Sequence, residues 1–410
     1  MSELKDSGIA WVGVMPESWK IKRGKFTLKL LNRPLEKTDD VITCFRDGEV
    51  TLRKNRREEG FTVSLKEIGY QGIEPGDLVI HGMDGFAGAI GISDSRGKSS
   101  PVLVVCDSDE NKRFIMYYLR TMAYNDVFSA LATGIRVRSC DLRWNKLAEL
   151  PYILPSQEEQ KRIVPFLDGK SSQIDVLIAN VQSQIEKLKA YKQSLITEVV
   201  TKGLDPTVPM KDSGVEWIGE IAENFQIMRL KNIAYILDQY RKPITADMRS
   251  QEGDVLYDYY GASGAIDKID GYTIDDHVML IGEDGANLRM RNLPLMYEVK
   301  GKAWINNHAH ILKPKENVLF YYLFYALEGL DINPYITGSA QPKLSQEKLK
   351  IISVPIPAIG VQELVIEYIQ DKHRRIDRLI AIKQSKIEKL EQYKKSLIYE
   401  YVTGKKEVRL

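Results

Sequence analysis

The stretch "IEKLKAYKQSLITEVVT" spans residues 185–201, and "IEKLEQYKKSLIYEYVT" spans 387–403. Aligning Gln184–Gly203 with Lys386–Lys405 gives 12 identities in 20 positions, more than two unrelated amphipathic helices share. A second pair lies upstream. "KDSGIAWVGVMPESWKIKRGK" at 5–25 matches "KDSGVEWIGEIAENFQIMRLK" at 211–231, with 10 identities in 21. The chain is therefore an internal duplication. Its order is motif, variable stretch, helix, twice over. The variable stretches, 26–150 and 232–350, share little beyond an Asp-Gly turn ("GMDGFAGAIG" at 82–91, "GEDGANL" at 282–288) and a Thr-Gly element ahead of a Leu-rich segment and a proline pair. A frame kept in two copies around diverged middles points to one scaffold carrying two specificities.

The repeated helices have a period. Ile174, Val181, Leu188 and Leu195 recur at heptad spacing, and Ile178, Ile185 and Val199 mark a second row broken by Lys192. In the second copy Ile376, Leu390 and Leu397 form one row, broken by Lys383, and Ile380, Ile387 and Tyr401 the other, broken by Lys394. This is the pattern of a coiled-coil seam, and it predicts that the two helices pair with each other. Residues 170–202 and 372–403 hold no proline or glycine, and Gly203 and Gly404 follow. The prediction is two rods of about 32 residues, roughly 48 Å each at ~1.5 Å per residue.

The variable stretches read as mixed α/β. "DLVIHGMDGFAGAIGIS" and "SPVLVVCDSD" predict short strands with tight turns. "NKRFIMYYLRTMAY" (111–124) and "ENVLFYYLFYAL" (316–327) predict buried helices whose aromatic rows are core. The expected fold class is α+β, with two α/β lobes and two long helices in a pseudo-twofold internal repeat. The predicted boundaries are 1–155 and 210–355 for the lobes with their leading motifs, and 156–209 and 356–410 for the helices.

At 410 residues, 43% hydrophobic and 28% charged, the chain has the composition of a soluble globular protein with two or more cores. No apolar run is long enough for a membrane span, the first residues lack a secretion signal, and a cytoplasmic protein is expected. Cys44, Cys106 and Cys140 form no CxxC pair, so neither a disulfide framework nor a zinc site is suggested. Net charge is only +2, with a local basic patch, "RKNRR", at 53–57.

Enzyme signatures are missing. There is no P-loop and no HExxH helix. "GMDGFAG" lacks the dinucleotide spacing, and "YGASGAI" (260–266) is not a nucleophile elbow. "NPY" at 333–335 has one proline where the loop of DNA amino-methyltransferases has two, so a plain turn is expected. His308 and His310 in "NNHAH" have no nearby third ligand, so no metal site is expected.

Taken together, the chain resembles the specificity subunit of type I restriction–modification systems, over essentially its whole length. The resemblance rests on the duplicated "KDSGxxWxG" motif, on "LPSQEEQKRIVPFLDGKSSQIDVLI" (154–178) with "IPAIGVQELVIEYIQDKHRRIDRLI" (356–380), and on "KKSLIYEYVTGK" (394–405). "GKAWINNHAHILKP" (301–314) and "TGSAQPKLSQEKL" (337–349) resemble target-recognition segments of that family; the first half departs from it, with "TGIRVRSCDL" in place of a glutamine-containing loop. The resemblance implies that each lobe is a target recognition domain reading one part of a split, asymmetric double-stranded DNA site. It implies that the helices pair antiparallel and hold the domains apart, that two methyltransferase subunits dock on the frame, and that restriction (motor-nuclease) subunits complete the assembly. The chain itself would be non-catalytic, with no cofactor of its own. S-adenosylmethionine, ATP and magnesium would sit on partner subunits, and adenine would be methylated at N6.

Base readout needs Arg for guanine and Asn or Gln for adenine, and phosphate contacts need Lys and Arg. The DNA-binding candidates are Arg53, Lys54, Asn55, Arg56, Arg57, Arg136 and Arg138 in the first half. In the second half they are Arg289, Arg291, Asn306, Asn307, Gln341 and Lys343. A frame repeated twice offers two near-equivalent docking surfaces, with Trp11 and Trp217, and Trp19 and Phe225, at matching places as partner-binding candidates. The alternative from another class is a coiled-coil interaction scaffold that does not bind DNA.

Overall fold

The computed structural model describes residues 3–56, 67–130, 142–245 and 255–408. It divides into two compact units, Met1–Gln182 with Gln384–Leu410, and Ser183–Lys383. The division passes through both long helices, so each unit owns one lobe and a piece of each helix. The fold class is α+β, with β-rich lobes.

The long helices are Gln157–Lys202, of 46 residues, and Ile359–Val402, of 44. At ~1.5 Å per residue they measure roughly 69 and 66 Å. The expectation of rods of about 32 residues is thus too short: helix also covers 157–169, with Pro165 and Gly169 inside it, and 359–371, with Gly360 inside it. Ser156 and Glu159 form a capping box: the Glu159 amide donates to Ser156 Oγ (3.3 Å), and the Ser156 amide donates to Glu159 Oε2 (3.0 Å). Helix therefore starts well before Pro165. That proline sits on the exposed face, where the carbonyl it leaves unpaired meets water. Both helices stop at a left-handed glycine, Gly203 with φ +75° and Gly404 with φ +73°.

In the first unit the ring of Phe166 packs on Tyr401 at 4.6 Å, and Lys394 Nζ donates to Asp175 at 2.7 Å. Advancing along one helix retreats along the other, so the pieces are antiparallel. Ile174, Leu397 and Ile398 are buried in one core there. In the second unit Lys383 Nζ donates to Gln184 at 2.5 Å and Lys192 Nζ to Asp377 at 2.8 Å, again in antiparallel order. Each lysine that breaks a heptad row therefore reaches across to the other helix. Lys192 and Lys394 are equivalent in the repeat, as are Asp175 and Asp377, so one bond is made twice. Magnitudes separate the roles. A fully buried Ile or Leu contributes about 1.5–3 kcal/mol, whereas a pair whose aspartate is 57% exposed contributes at most about 1 kcal/mol. Apolar rows hold the helices together, and the polar pairs fix their register, since a slip of one turn leaves each lysine facing an apolar row.

The lobes hang on this frame in the same way twice. In the first unit strand Lys20–Arg23 pairs with Pro151–Leu154, which leads into the long helix. In the second, Gln226–Arg229 pairs with Ser353–Ile356. A buried tyrosine clamps each junction: Tyr118 Oη donates to the Pro151 carbonyl and Tyr322 Oη to that of Pro355, both at 2.8 Å. A fully buried glutamine secures each first helical turn, Gln160 bonding the carbonyl of Pro155 and Gln362 that of Pro357, both at 3.0 Å. The middles differ. The first lobe has a four-stranded antiparallel sheet, in the order Lys29–Leu30, Leu103–Asp107, Leu78–His81, Ile90–Ile92, covered by helix Lys112–Tyr124. The second has a six-stranded sheet in the order Ala234–Ile236, Ala309–Pro314, Ile274–Gly282, Met296–Ile305, Leu256–Gly261, Gly264–Asp270, with one parallel pair. Its covering helix, Phe320–Gly329, starts four residues inside the predicted stretch.

Candidate nucleic-acid interface and docking frame

In the second lobe three separate segments meet at the Asp-Gly turn. The Glu283 amide donates to the His308 carbonyl (2.8 Å), the Leu344 amide to the Glu283 carbonyl (2.7 Å), and the Gly285 amide to the Pro342 carbonyl (3.1 Å). Asn307, Gln341, Lys343 and Arg289 are thereby gathered on one surface. Glu283 is the hub. Arg241 Nη1 donates to it at 2.5 Å and Lys343 Nζ lies 3.2 Å away. Burial pushes the Glu283 carboxyl up, but the hydrogen bonds from Arg241 and Lys343 outweigh it and hold its pKa below the usual value. His310 is wholly buried behind this hub, between Asp238 (2.7 Å) and the Leu344 carbonyl (2.8 Å), which is a structural role.

The candidates differ in what they leave free. Asn307 and Gln341 are exposed, and their side-chain amides form no hydrogen bond among the described residues. Arg289 donates to the carbonyls of Ile336 (3.3 Å) and Gly338 (3.4 Å), bracing the Thr-Gly loop. Asn306 is 5% exposed and its Oδ1 accepts from the His308 amide, so it shapes the turn from inside. Arg291 turns away, donating to the carbonyls of Glu328 (2.9 Å) and Leu330 (3.1 Å). Asn306 and Arg291 thus depart from the expectation of a DNA-facing side chain: both are drawn inward to satisfy backbone groups. Arg241 is a member of the gathered surface that sequence reasoning missed. It lies some forty residues before the turn, with no local pattern to mark it.

In the first lobe Arg53–Asn55 form a short 3-10 turn. Lys54 pairs with Asp40 at 2.5 Å, and Arg56 with Asp47 at 2.7 Å and Glu49 at 3.2 Å. Arg53 Nε donates to Thr43 Oγ1 and Asn55 Nδ2 to Thr51 Oγ1. The expected basic patch is thus largely neutralised by its own lobe, because the acids that face it come from residues far enough away in sequence to escape a local reading. Arg57, Arg136 and Arg138 lie outside the described residues. The Asp-Gly turn repeats the second lobe's plan: the Leu142 amide donates to the Gly82 carbonyl (2.9 Å), and Arg46 pairs with Asp84 at 2.9 Å. Arg46 and Arg241 each pair with an acid of their own lobe's Asp-Gly turn.

The four aromatics of the frame split into two kinds. Trp19 is 3% exposed and Phe225 is 1% exposed. Trp19 Nε1 also donates to Glu159 at 3.1 Å, the glutamate that caps the long helix. Both therefore belong to their own lobe's core, which corrects the expectation that they anchor a partner. Trp11 is half-buried between Tyr118 and Tyr399, with ring centroids at 5.4 and 6.4 Å. Trp217 is 40% exposed and borders a cleft of about 630 Å³. The KDSG motif is a local hairpin lock in both copies: Asp6 accepts from the Gly8 amide and Asp212 from that of Gly214, at 3.0 and 2.9 Å.

No group of three His, Cys, Asp or Glu side chains suited to a metal occurs among the described residues. Cys44 and Cys106 are buried, and burial pushes both thiols up to about 12. Asn333–Tyr335 is a 3-10 turn whose Asn333 amide bonds Asp331 (2.9 Å). No helix among the described residues is long and apolar enough to cross a membrane.

The family model "Type I restriction modification DNA specificity domain" matches residues 222–392. The MjaX specificity subunit of Methanocaldococcus jannaschii is 24% identical over 97% of this chain and 96% of its own length. The chain belongs to the type I restriction–modification specificity subunits. The MjaVIII specificity subunit of the same organism is 23% identical over 96% of this chain and 94% of its own. S.HindORF215P of Haemophilus influenzae, a type I restriction enzyme specificity subunit by name, is 33% identical over only 34% of each chain. Among solved structures, a chain from work on assembly and conformational transition of the type I R-M system superposes with TM-score 0.70 over 95% of this chain and 98% of its own, at 13% identity. The HsdS subunit from Thermoanaerobacter tengcongensis gives TM-score 0.50 over 95% and 98%, at 14% identity. Specificity subunits are non-catalytic, so this one selects DNA and leaves the chemistry to other subunits.

Proposed function

We propose that each lobe of this specificity subunit reads one part of a bipartite, asymmetric double-stranded DNA site. The paired helices form the frame on which two methyltransferase subunits dock and to which motor-nuclease subunits are added. S-adenosylmethionine, ATP and magnesium belong to those partners. The observation that carries this reading is the lysine–aspartate bond made twice by a repeated frame that holds two unlike lobes. Equal frames suit two copies of one partner, and unlike lobes suit two different half sites.

Within the second lobe, Asn307 and Gln341 are the foremost base readers. Their amides are exposed and uncommitted, and an amide pairs bidentately with adenine in the major groove. Lys343, Arg289 and Arg241 surround them as phosphate contacts. In the first lobe the corresponding surface lies at Arg46 and Asp84, with Arg53, Lys54, Asn55 and Arg56 as further contacts.

The test is selection of bound sequences from a random duplex pool by the chain assembled with its methyltransferase subunits, read by gel shift. A split motif with a fixed gap is expected. Binding without sequence preference, or no binding, would return the chain to the scaffold reading.

A further inference from the structure

We infer that the second unit carries a docking cleft for a partner polypeptide that presents a tyrosine together with a lysine or arginine. It rests on the docking frame proposed above and names what one face of that frame accepts. The template comes from the repeat itself. In the first unit Tyr399 packs on Trp11 and its Oη donates to the Trp11 carbonyl at 3.2 Å. Lys405 Nζ donates to the Val12 carbonyl at 2.7 Å and also to that of Val14. A phenol and an ammonium group therefore cover the indole and satisfy the carbonyls of the motif.

The second unit has the same motif without these partners. Thr197 stands where Tyr399 stands in the repeat, and Leu204 follows the helix-ending Gly203 where Lys405 follows Gly404. Thr197 is too short to reach the indole, and its hydroxyl is already given to the Gly329 carbonyl at 2.7 Å. Trp217 is left 40% exposed at the edge of a cleft of about 630 Å³, which Thr197, Thr201 and Ile218 also line. The carbonyls of Trp217 and Ile218 accept no hydrogen bond among the described residues. Tyr335 packs edge-on against Trp217 at 5.3 Å, as Tyr118 packs on Trp11, so the indole has one aromatic neighbour from its own chain. What the second unit lacks among the described residues is the other pair that the first supplies: a hydroxyl-bearing ring in the place of Tyr399 and a cation on the carbonyls of the motif. The cleft wall is of mixed charge: Glu186 is paired with Lys189 at 3.0 Å, and Arg291 is given to the carbonyls of Glu328 and Leu330, beside Asp331. The preference for a cation therefore comes from the uncovered carbonyls of the motif, which accept hydrogen bonds and repel an anion. A second copy of this chain is a poor donor, because its Tyr399 and Lys405 are already engaged. An exposed tryptophan beside an open pocket is the usual form of an interface anchor.

The probe is a capped peptide of Tyr399–Glu407 carrying Y401A, titrated into the full chain labelled with 5-fluorotryptophan. The Trp217 fluorine resonance, assigned with W217F, should shift saturably while that of Trp11 stays fixed. Replacing Tyr399 or Lys405 of the peptide with Ala should weaken binding about tenfold each. Thr197→Tyr in the chain should abolish the shift by filling the cleft. Thr197→Val, which loses the bond to Gly329 but leaves the cleft open, should keep it. No shift up to about 1 mM peptide, equal binding to the Thr197→Tyr chain, or indifference to both peptide substitutions overturns the inference. So does a Trp217 shift that appears on concentrating the chain alone, which assigns the cleft to a second copy. DNA binding by the assembled Thr197→Val subunit is measured in parallel: its absence counts against the recognition reading, and the peptide data alone decide the cleft.

Discussion

Reversing one charge in the helix seam should destabilise one unit, and reversing its partner as well should repair it. Lys394 is 26% exposed and Asp175 57% exposed, with nitrogen and oxygen 2.7 Å apart. In that partly wet setting the pair contributes about 0.5–1 kcal/mol. Asp175→Lys removes this and sets two ammonium groups face to face, adding repulsion of similar size, so the total loss is about 1–2 kcal/mol. For a unit of roughly 200 residues, each kcal/mol lowers the melting temperature by about 2–4 °C. Scanning calorimetry should therefore show the transition of the first unit falling by about 2–8 °C in Asp175→Lys. The double variant Asp175→Lys with Lys394→Asp should recover most of that loss. The equivalent cycle at Asp377 and Lys192 should give the same coupling, because the repeat makes the same bond there. A double variant no more stable than Asp175→Lys, in both cycles, would refute the claim that these pairs fix the register.

The other expectations concern the lobes. Asn307→Ala and Gln341→Ala should each cost about 1–3 kcal/mol at one base pair of the second half site and leave the salt slope unchanged, by titration of matched and mismatched duplexes. A loss spread evenly over all sequences would make them phosphate contacts instead. Phe225→Ala should destabilise the second unit by about 3–5 kcal/mol through the cavity it leaves, since the ring is 1% exposed; a change under about 1 kcal/mol would mean the ring belongs to an interface after all. Burial, with help from Lys192, lowers the His373 pKa from 6.5 to about 4. Its folded pKa is depressed, so the stability it supports is full above about 6.5 and is lost as pH falls toward about 4. His373→Asn should flatten that part of the stability–pH profile, and an unchanged profile would exclude His373 as its source.

The frame was legible because it is written twice. The heptad rows of Ile174 to Leu195 and Ile376 to Leu397 identified the seam, and the lysines that interrupt them are its polar bonds. The length of the rods was underestimated because only the runs free of proline and glycine were counted, whereas Pro165 and Gly169 lie inside the first helix, whose start is marked by a capping box only four residues long. The second-lobe surface was half legible. Asn307, Gln341 and Lys343 lie in segments with a recognisable pattern, whereas Arg241 joins them only through the fold. Arg291 and Asn306 have the right chemistry but the wrong direction, and direction depends on which carbonyls and amides tertiary packing leaves to be satisfied. The acids that neutralise Lys54 and Arg56 were equally invisible, since Asp40 and Asp47 become neighbours only when the sheet edge forms.

The central claim is that two unlike lobes on one duplicated frame read two independent half sites. Its most direct test is methylated-base sequencing of genomic DNA from a host expressing the assembled system. The wild-type chain is compared with one whose residues 232–350 are replaced by those of another specificity subunit. Junctions belong at Lys231 and in the strand Ser353–Ile356, where the two halves of the chain share the same plan. The account expects a split methylated motif in which one half changes and the other half keeps its bases. A motif altered in both halves, or in neither, would contradict it.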